Sequence, residues 1–353
     1  MNEYYNKILI DWFSLTTSIS SPQDIIEMLG MSSCPFIETR GANGFKDRLY
    51  FNCISIHYHE HEGVNHQGLV WLDMSGQGCR AFETLGHGNF DVLFDYVLDN
   101  PNDVHITRLD IAYDDFNGLL DLDAIVEDSR CGNFVSKCRK GNIGQCYVEE
   151  GFNKDNGISV THGRHRSEVL VRIYDKAAER NRSDEIPHWV RCEIVLKRDR
   201  AYEFIKLSRP EFKYVWDKDS DTFRTVKISK GDTIDYLYGT VINHYLRYIT
   251  PSETDSNKWR APLAEHWERF VNSITRESKS LYVNPGMEYN ALKLHHTVIN
   301  KFGGCIYTYI KIFGISNLVE LVTERAYKLN PKYKMLIAED KLLKQRGVTF
   351  ECS

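Results

Sequence analysis

No two of the nine cysteines form a CxxC pair, and their number is odd, so the sequence offers neither a zinc ribbon nor a disulfide scaffold. Cys131, Cys138 and Cys146 come nearest to a metal-binding series, but their spacing fits no familiar site, and reduced structural thiols are the expectation. No run of about 18 apolar residues occurs, as a membrane-spanning helix would need. The opening residues, Met1-Asn2-Glu3-Tyr4-Tyr5-Asn6-Lys7, lack the pattern of a signal peptide. The expected setting is cytoplasmic, with no membrane partner. GxxxxGK[ST] and GxGxxG are also missing, and Gly76-Gln77-Gly78 alone cannot support a nucleotide site. No Ser-His-Asp order can be defended. Repeats, heptad arrays and low-complexity tracts are absent.

What remains is an ordinary globular composition. The 353 residues are 42% hydrophobic and 26% charged, enough for a full core in one large domain or two. A net charge of −5 argues against a protein that coats nucleic acid over its whole surface. The charge is uneven: from Lys206 onward, 23 Lys and Arg face 17 Asp and Glu. An acidic first half suits a divalent metal, and a basic second half suits phosphate backbones.

The first part reads as an α+β domain. Strand-like runs occur at residues 7–15, 48–58, 68–74, 105–113, 144–149, 168–174 and 187–196, with helices near 21–29, 90–98 and 120–128. Beyond about residue 200 the apolar spacing becomes helical, at 234–248, 264–274, 292–301, 306–313, 316–329 and 334–344. Gly303-Gly304 and Asn330-Pro331 are expected breaks, and residues 250–257 an expected linker. The expected domains are 1–250 and a mostly helical 251–353.

Three of the strands carry chemistry. On alternating backbones Arg172, Tyr174 and Lys176 share a face, as do Asp110, Ala112 and Asp114, and Arg191, Glu193 and Val195. A tyrosine between two cations, facing carboxylates, suits metal-assisted attack on a phosphodiester. Taken alone, Tyr174 is better read as one of 20 tyrosines that merely fills a strand. Gly76 and Gly78 read as a tight turn between strands, with Glu83 on the outgoing strand. His57, His59 and His61 alternate onto one strand face, a rival metal site or a polar solvent face. His162 and His165 stand in a basic loop, Thr161-His-Gly-Arg-His-Arg166, suited to phosphate contact or to plain solvation.

Five segments in order resemble the Rep_trans family of rolling-circle replication initiators: Ile10–Ser14, Ser75–Arg80, Thr107–Ala112, Arg172–Lys176 and Arg191–Glu193. Length and N-terminal style look closest to initiators of Vibrio-type filamentous phages. The resemblance implies an antiparallel-sheet nickase domain related to the HUH endonuclease fold, followed by a helical domain for DNA or partner contact. It implies a site-specific nickase and strand transferase, with Tyr174 forming a 5′-phosphotyrosine link and leaving a free 3′-OH primer. Asp110, Glu193 and Glu83 are then the candidate Mg²⁺ or Mn²⁺ ligands, with His57 and His59 as rivals. Lys176 and Arg172 balance charge on the phosphate. Arg108 and Arg191 position phosphates or pair with the acids. The implied partners are origin DNA (a single-stranded or cruciform nick site and a duplex recognition site), a host helicase and a second copy of the chain. A relaxase of a mobile element and a non-catalytic DNA-binding regulator are the alternatives.

Overall fold

Helices and antiparallel strands are interspersed in the computed structural model, which describes residues 5–59, 68–138, 140–144, 157–217, 222–252, 254–274, 291–324 and 337. Two compact units are present, Met1–Val283 and Asn284–Ser353. The first unit opens with β1 (Lys7–Thr17), α1 (Pro22–Met28), β2 (Ile37–Arg40), β3 (Asp47–Phe51), β4 (Ile54–Tyr58) and β5 (Val70–Met74). Next come α2 (Gly76–Leu85), α3 (Phe90–Asp99), β6 (Val104–Asp115), α4 (Leu122–Cys131), β7 (Phe134–Ser136), β8 (Gly141–Gly144) and β9 (Ser159–His162). Then follow β10 (Val169–Asp175), α5 (Lys176–Glu179), β11 (Val190–Lys197), α6 (Asp199–Ser208), β12 (Glu211–Asp217) and β13 (Thr222–Ser229). The unit closes with α7 (Ile234–Tyr245), β14 (Leu246–Tyr248) and α8 (Glu265–Ile274).

Ten of the strands build one sheet in the order β2-β3-β4-β5-β1-β6-β11-β10-β9-β8, with antiparallel pairing throughout. One face is apolar. Leu109, Ile111, Ile173, Cys192 and Ile194 join Phe94 of α3, Phe204 of α6, Tyr238 of α7 and Trp267 and Phe270 of α8 in a single core. Burying such side chains stabilises by about 1.5–3 kcal/mol each, which is why these helices sit on this face. The other face is polar and carries the candidate chemistry, an asymmetry that antiparallel sheets tolerate.

A bulge in β1 makes this two-faced arrangement possible. The register with β6 slips between Ile10, opposite Ile111, and Trp12, opposite Asp110. Ile8 and Ile10 therefore face the core before the slip, and Phe13 and Leu15 after it. The extra residue, Asp11, joins Trp12 on the polar side, as bulges commonly re-aim side chains.

Several expectations need correction. The run 48–58 is two strands, because Asn52 and Cys53 take φ of 45° and 65° and close a two-residue hairpin. Gly76–Leu85 is a helix, not a turn and an outgoing strand; Cys79 and Phe82 supply its buried i, i+3 stripe. The β12–β13 hairpin interrupts the region expected to be helical after residue 200. Past residue 250, Arg260 pairs with Asp255 at 2.7 Å, and α8 contributes Trp267, Phe270 and Val271 to the sheet's core. Of the expected strand 144–149, residues 145–149 lie outside the described residues, as do most of 325–353.

The second unit contains α9 (Ala291–Phe313) and α10 (Ile315–Glu324). Gly303-Gly304 does not break α9; two interior glycines cost about 1 kcal/mol each, which a long apolar-striped helix can absorb. Gly314, at φ 85°, ends α9, and the chain turns by 115° into α10. Among the described residues no single helix is long and apolar enough to cross a membrane.

Candidate active site

Strand register decides which polar side chains meet. Arg172 and Tyr174 on β10 pair with Glu193 and Arg191 on β11, and Arg191, Glu193 and Val195 pair with Asp114, Ala112 and Asp110 on β6. Directly paired residues share a face, so the three chemical strands point the same way. The small Ala112 opposite Glu193 leaves space for the longer acid.

Two buried carboxylates lie at the centre. Asp110 and Glu193 are 0% and 2% exposed. Arg108 grips Asp110 through Nε at 2.9 Å and Nη2 at 2.6 Å, and Arg172 holds Glu193 at 2.7 Å. The two carboxyls are close enough to influence each other's charge. Burial, with Glu193 adding to it, pushes Asp110 well above the usual carboxylate range despite Arg108. Burial acts on Glu193 too, but Arg172 and then Arg191 outweigh it and hold it below its ordinary value. The two environments therefore push the carboxyls in opposite directions. Two buried carboxyls offer the hard oxygen donors that a divalent cation such as Mg²⁺ or Mn²⁺ prefers.

Tyr174 stands beside this pair. Its ring is 5% exposed, with the Arg172 guanidinium 4.5 Å from its centroid. Lys176 Nζ donates to Tyr174 Oη at 3.3 Å and pairs with Glu179. Burial raises the phenol well above its usual range, with Glu193 adding and Arg191 and Arg172 opposing. Burial and Arg191 pull the Lys176 ammonium down, against Glu179.

Arg191 ties the cluster to the sheet. It pairs with Asp114 through Nε at 2.6 Å and Nη2 at 2.8 Å, and with Asp11 at 2.7 Å. Asp11 reaches this position only through the β1 bulge. It packs on the first residue of α2, where a Cβ in place of Gly76 would fall 2.8 Å from its Oδ1.

The remaining candidates lie elsewhere. Glu83, on α2, pairs with Arg80 at 2.6 Å. Among the described residues no three His, Cys, Asp or Glu side chains converge as a metal site, so Glu83 does not complete one with Asp110 and Glu193. His57 is on β4, with β5 and β1 between it and β6. It stacks on Trp71 at 4.4 Å, and its Nδ1 accepts from the Ala42 amide at 3.3 Å. Burial, with Arg48, pushes it down to about 4. His59 stacks on Phe45 at 5.3 Å, its Nδ1 accepting from the Lys46 amide at 3.4 Å. Both rings pin the 41–46 loop through Nδ1. His61 lies outside the described residues.

Asp11 and Asp73 are polar-face acids that the sequence did not single out. Asp73 accepts from Trp12 Nε1 at 2.8 Å, and burial raises it. Arg108 lies over Trp12, 3.9 Å from the ring centroid, joining that pair to Asp110. The alternation Trp71-Leu72-Asp73 was a faint signal for Asp73. For Asp11 the one signal was its place in the Ile10–Ser14 segment of the family resemblance, because a bulge shifts parity unseen.

Comparison with known proteins places these residues in a family context. The model described as "Replication initiation factor" matches residues 104–317, and that described as "Rolling Circle replication initiation protein N-terminal domain" matches residues 7–97. A Bacillus subtilis (strain 168) protein named "Putative DNA relaxase NicK" is 23% identical over 291 residues, 80% of this chain and 74% of that protein. A solved structure titled "Structure of Rolling Circle Replication Initiator Protein from Geobacillus stearothermophilus" has a TM-score of 0.61 at 24% identity. It covers 79% of this chain and 100% of its own, a likeness of fold.

Proposed function

The chain belongs to the replication initiation factor family, and on that premise we propose that it is a rolling-circle replication initiator that nicks one strand of origin DNA through Tyr174. One observation carries the assignment. Arg172 touches both the Tyr174 ring and the Glu193 carboxylate, so nucleophile, cation and acid pair form one connected group. Tyr174 Oη attacks the scissile phosphorus, the P–O3′ bond breaks, and the departing 3′ oxygen takes a proton from water to leave a primer. Lys176 Nζ, 3.3 Å from the Oη, is placed to take the phenol proton once it has lost its own, a loss that burial and Arg191 ease against Glu179. Arg172 faces the charge that grows on the phosphate. Mg²⁺ or Mn²⁺ held by Asp110 and Glu193 would polarise a non-bridging phosphate oxygen.

The test is covalent capture. Labelled single-stranded or supercoiled origin DNA is incubated with the protein and Mn²⁺, and adducts are resolved on a denaturing gel. Wild type forms an adduct and Tyr174→Phe forms none. An adduct that survives Tyr174→Phe removes Tyr174 as the nucleophile. The similarity to a protein named as a DNA relaxase favours mobilisation of an element as a second reading with the same chemistry. Nicking at a transfer origin but not at a replication origin would select it.

A further inference from the structure

The basic loop after β9 has no part in the chemistry above, yet it forms one wall of a groove of about 450 Å³ that opens on Glu193 and Arg172. Register lays the groove out in rows. Asn142 pairs with Thr161, Thr161 with Arg172, and Arg172 with Glu193, a polar row leading from β8 to the acid pair. At about 4.8 Å per strand it extends roughly 14 Å. Beside it runs an apolar row, with Leu170 opposite Val195 and Val195 opposite Asp110.

The rim is cationic. Arg108, Arg164 and Lys197 line the groove with Arg172, and Arg166 and Arg198 extend it past His165. The acids among these lining residues are Glu193 and Glu168. Gly163, at φ 114°, turns the loop where a Cβ would meet the Val169 carbonyl at 2.9 Å. Lys197 Nζ donates to the His165 carbonyl, tying the loop to β11. Arg164 and His165 are thus exposed on an anchored turn.

We propose that this groove binds the unpaired strand flanking the scissile phosphate, with backbone phosphates on the Arg164–Arg166 rim, a base face on Leu170 and Val195, and a base edge at Asn142. The inference rests on the nickase reading above and adds the path of the strand. An apolar floor between cationic walls suits unpaired DNA, whose bases are free to turn outward; a duplex offers only phosphates and groove edges.

Fluorescence anisotropy of the full chain, titrated at several salt concentrations, tests this with three probes. These are oligothymidylate of about 12 nucleotides, the same length with abasic residues, and a duplex of that length. Wild type should bind oligothymidylate more tightly than either other probe. The Arg164→Ala/Arg166→Ala variant, checked for an unchanged melting temperature, should bind about tenfold more weakly, its salt slope falling by about 0.7 for each phosphate that goes unneutralised. Asn142→Ala should keep the salt slope and bind oligothymidylate more weakly. Unchanged affinity in the double variant, or tighter binding of duplex, overturns the proposal. Equal binding of the abasic probe overturns the base contacts. If covalent capture fails while these binding differences hold, the nickase reading falls and the groove stands. If adducts form and the double variant binds normally, the groove alone falls.

Discussion

Arg191→Met should cost the protein more stability than any exposed ion-pair change. The Arg191 side chain is 5% exposed, and its partner Asp114 is 2% exposed. Three contacts of 2.6–2.8 Å hold the guanidinium between Asp114 and Asp11. Methionine fills a similar volume but leaves the Asp114 carboxylate buried without its cation. Breaking a buried pair in this way costs about 3–5 kcal/mol. Arg191→Lys should recover little, since an ammonium cannot make the bidentate contact. Arg130→Met is the control: its pair with Glu127 is 3.9 Å long and exposed, and the change should stay within about 0.5 kcal/mol. Urea denaturation followed by tryptophan fluorescence gives the differences, with an unchanged m-value showing that compactness is intact. Asp114→Asn added to Arg191→Met should restore at least about 1.5 kcal/mol, because the stranded charge is gone. A single variant within about 1 kcal/mol of wild type, or a double variant no better than the single, refutes the view that these charges depend on each other.

Lys176→Met should slow adduct formation by about 10²-fold or more and leave oligothymidylate binding intact; equal losses in both would make Lys176 a binding residue instead. Chelation of divalent metal, and Asp110→Asn, should each abolish adduct formation without unfolding the protein, as read by circular dichroism; full activity in chelator rules the acid pair out as a metal site. Burial holds His162 at about 4 in the folded protein, against 6.5 for the free side chain. Between those values the unfolded chain binds a proton that the folded one does not. Stability is therefore present above pH 6.5 and lost as pH falls towards 4, by about 3 kcal/mol. His162→Gln should flatten that limb of a stability–pH curve, and an unchanged slope would show that His162 is protonated in the fold.

Much of the sheet was legible because its strands alternate cleanly. The runs around Asp110, Tyr174 and Glu193 become β6, β10 and β11, and α1 begins at Ser21 with the expected proline in its first turn. Where reading failed, local signals pointed the wrong way. Gly76 and Gly78 suggested a turn, yet they are glycines because α2 starts against Asp11 and the Cys53 carbonyl. Gly303 and Gly304 suggested a break, but the apolar stripe of α9 runs through them. His57 and His59 formed an outward match to a metal motif, and only the packed rings of Trp71 and Phe45 reveal them as loop anchors.

By itself the sequence determined which residues could do chemistry and on which face of its own strand each would lie, because side-chain direction in a strand follows from parity alone. It could not determine which strands are neighbours. Tertiary structure set β10 beside β11 and β11 beside β6, and so brought Arg172 between Tyr174 and Glu193 and put Asp110 close to that acid. It also placed the β1 bulge that delivers Asp11 to Arg191. Register and bulges are fixed by the burial of the whole apolar face against α3, α6, α7 and α8, a sum over residues distant in the chain that no local stretch of sequence contains.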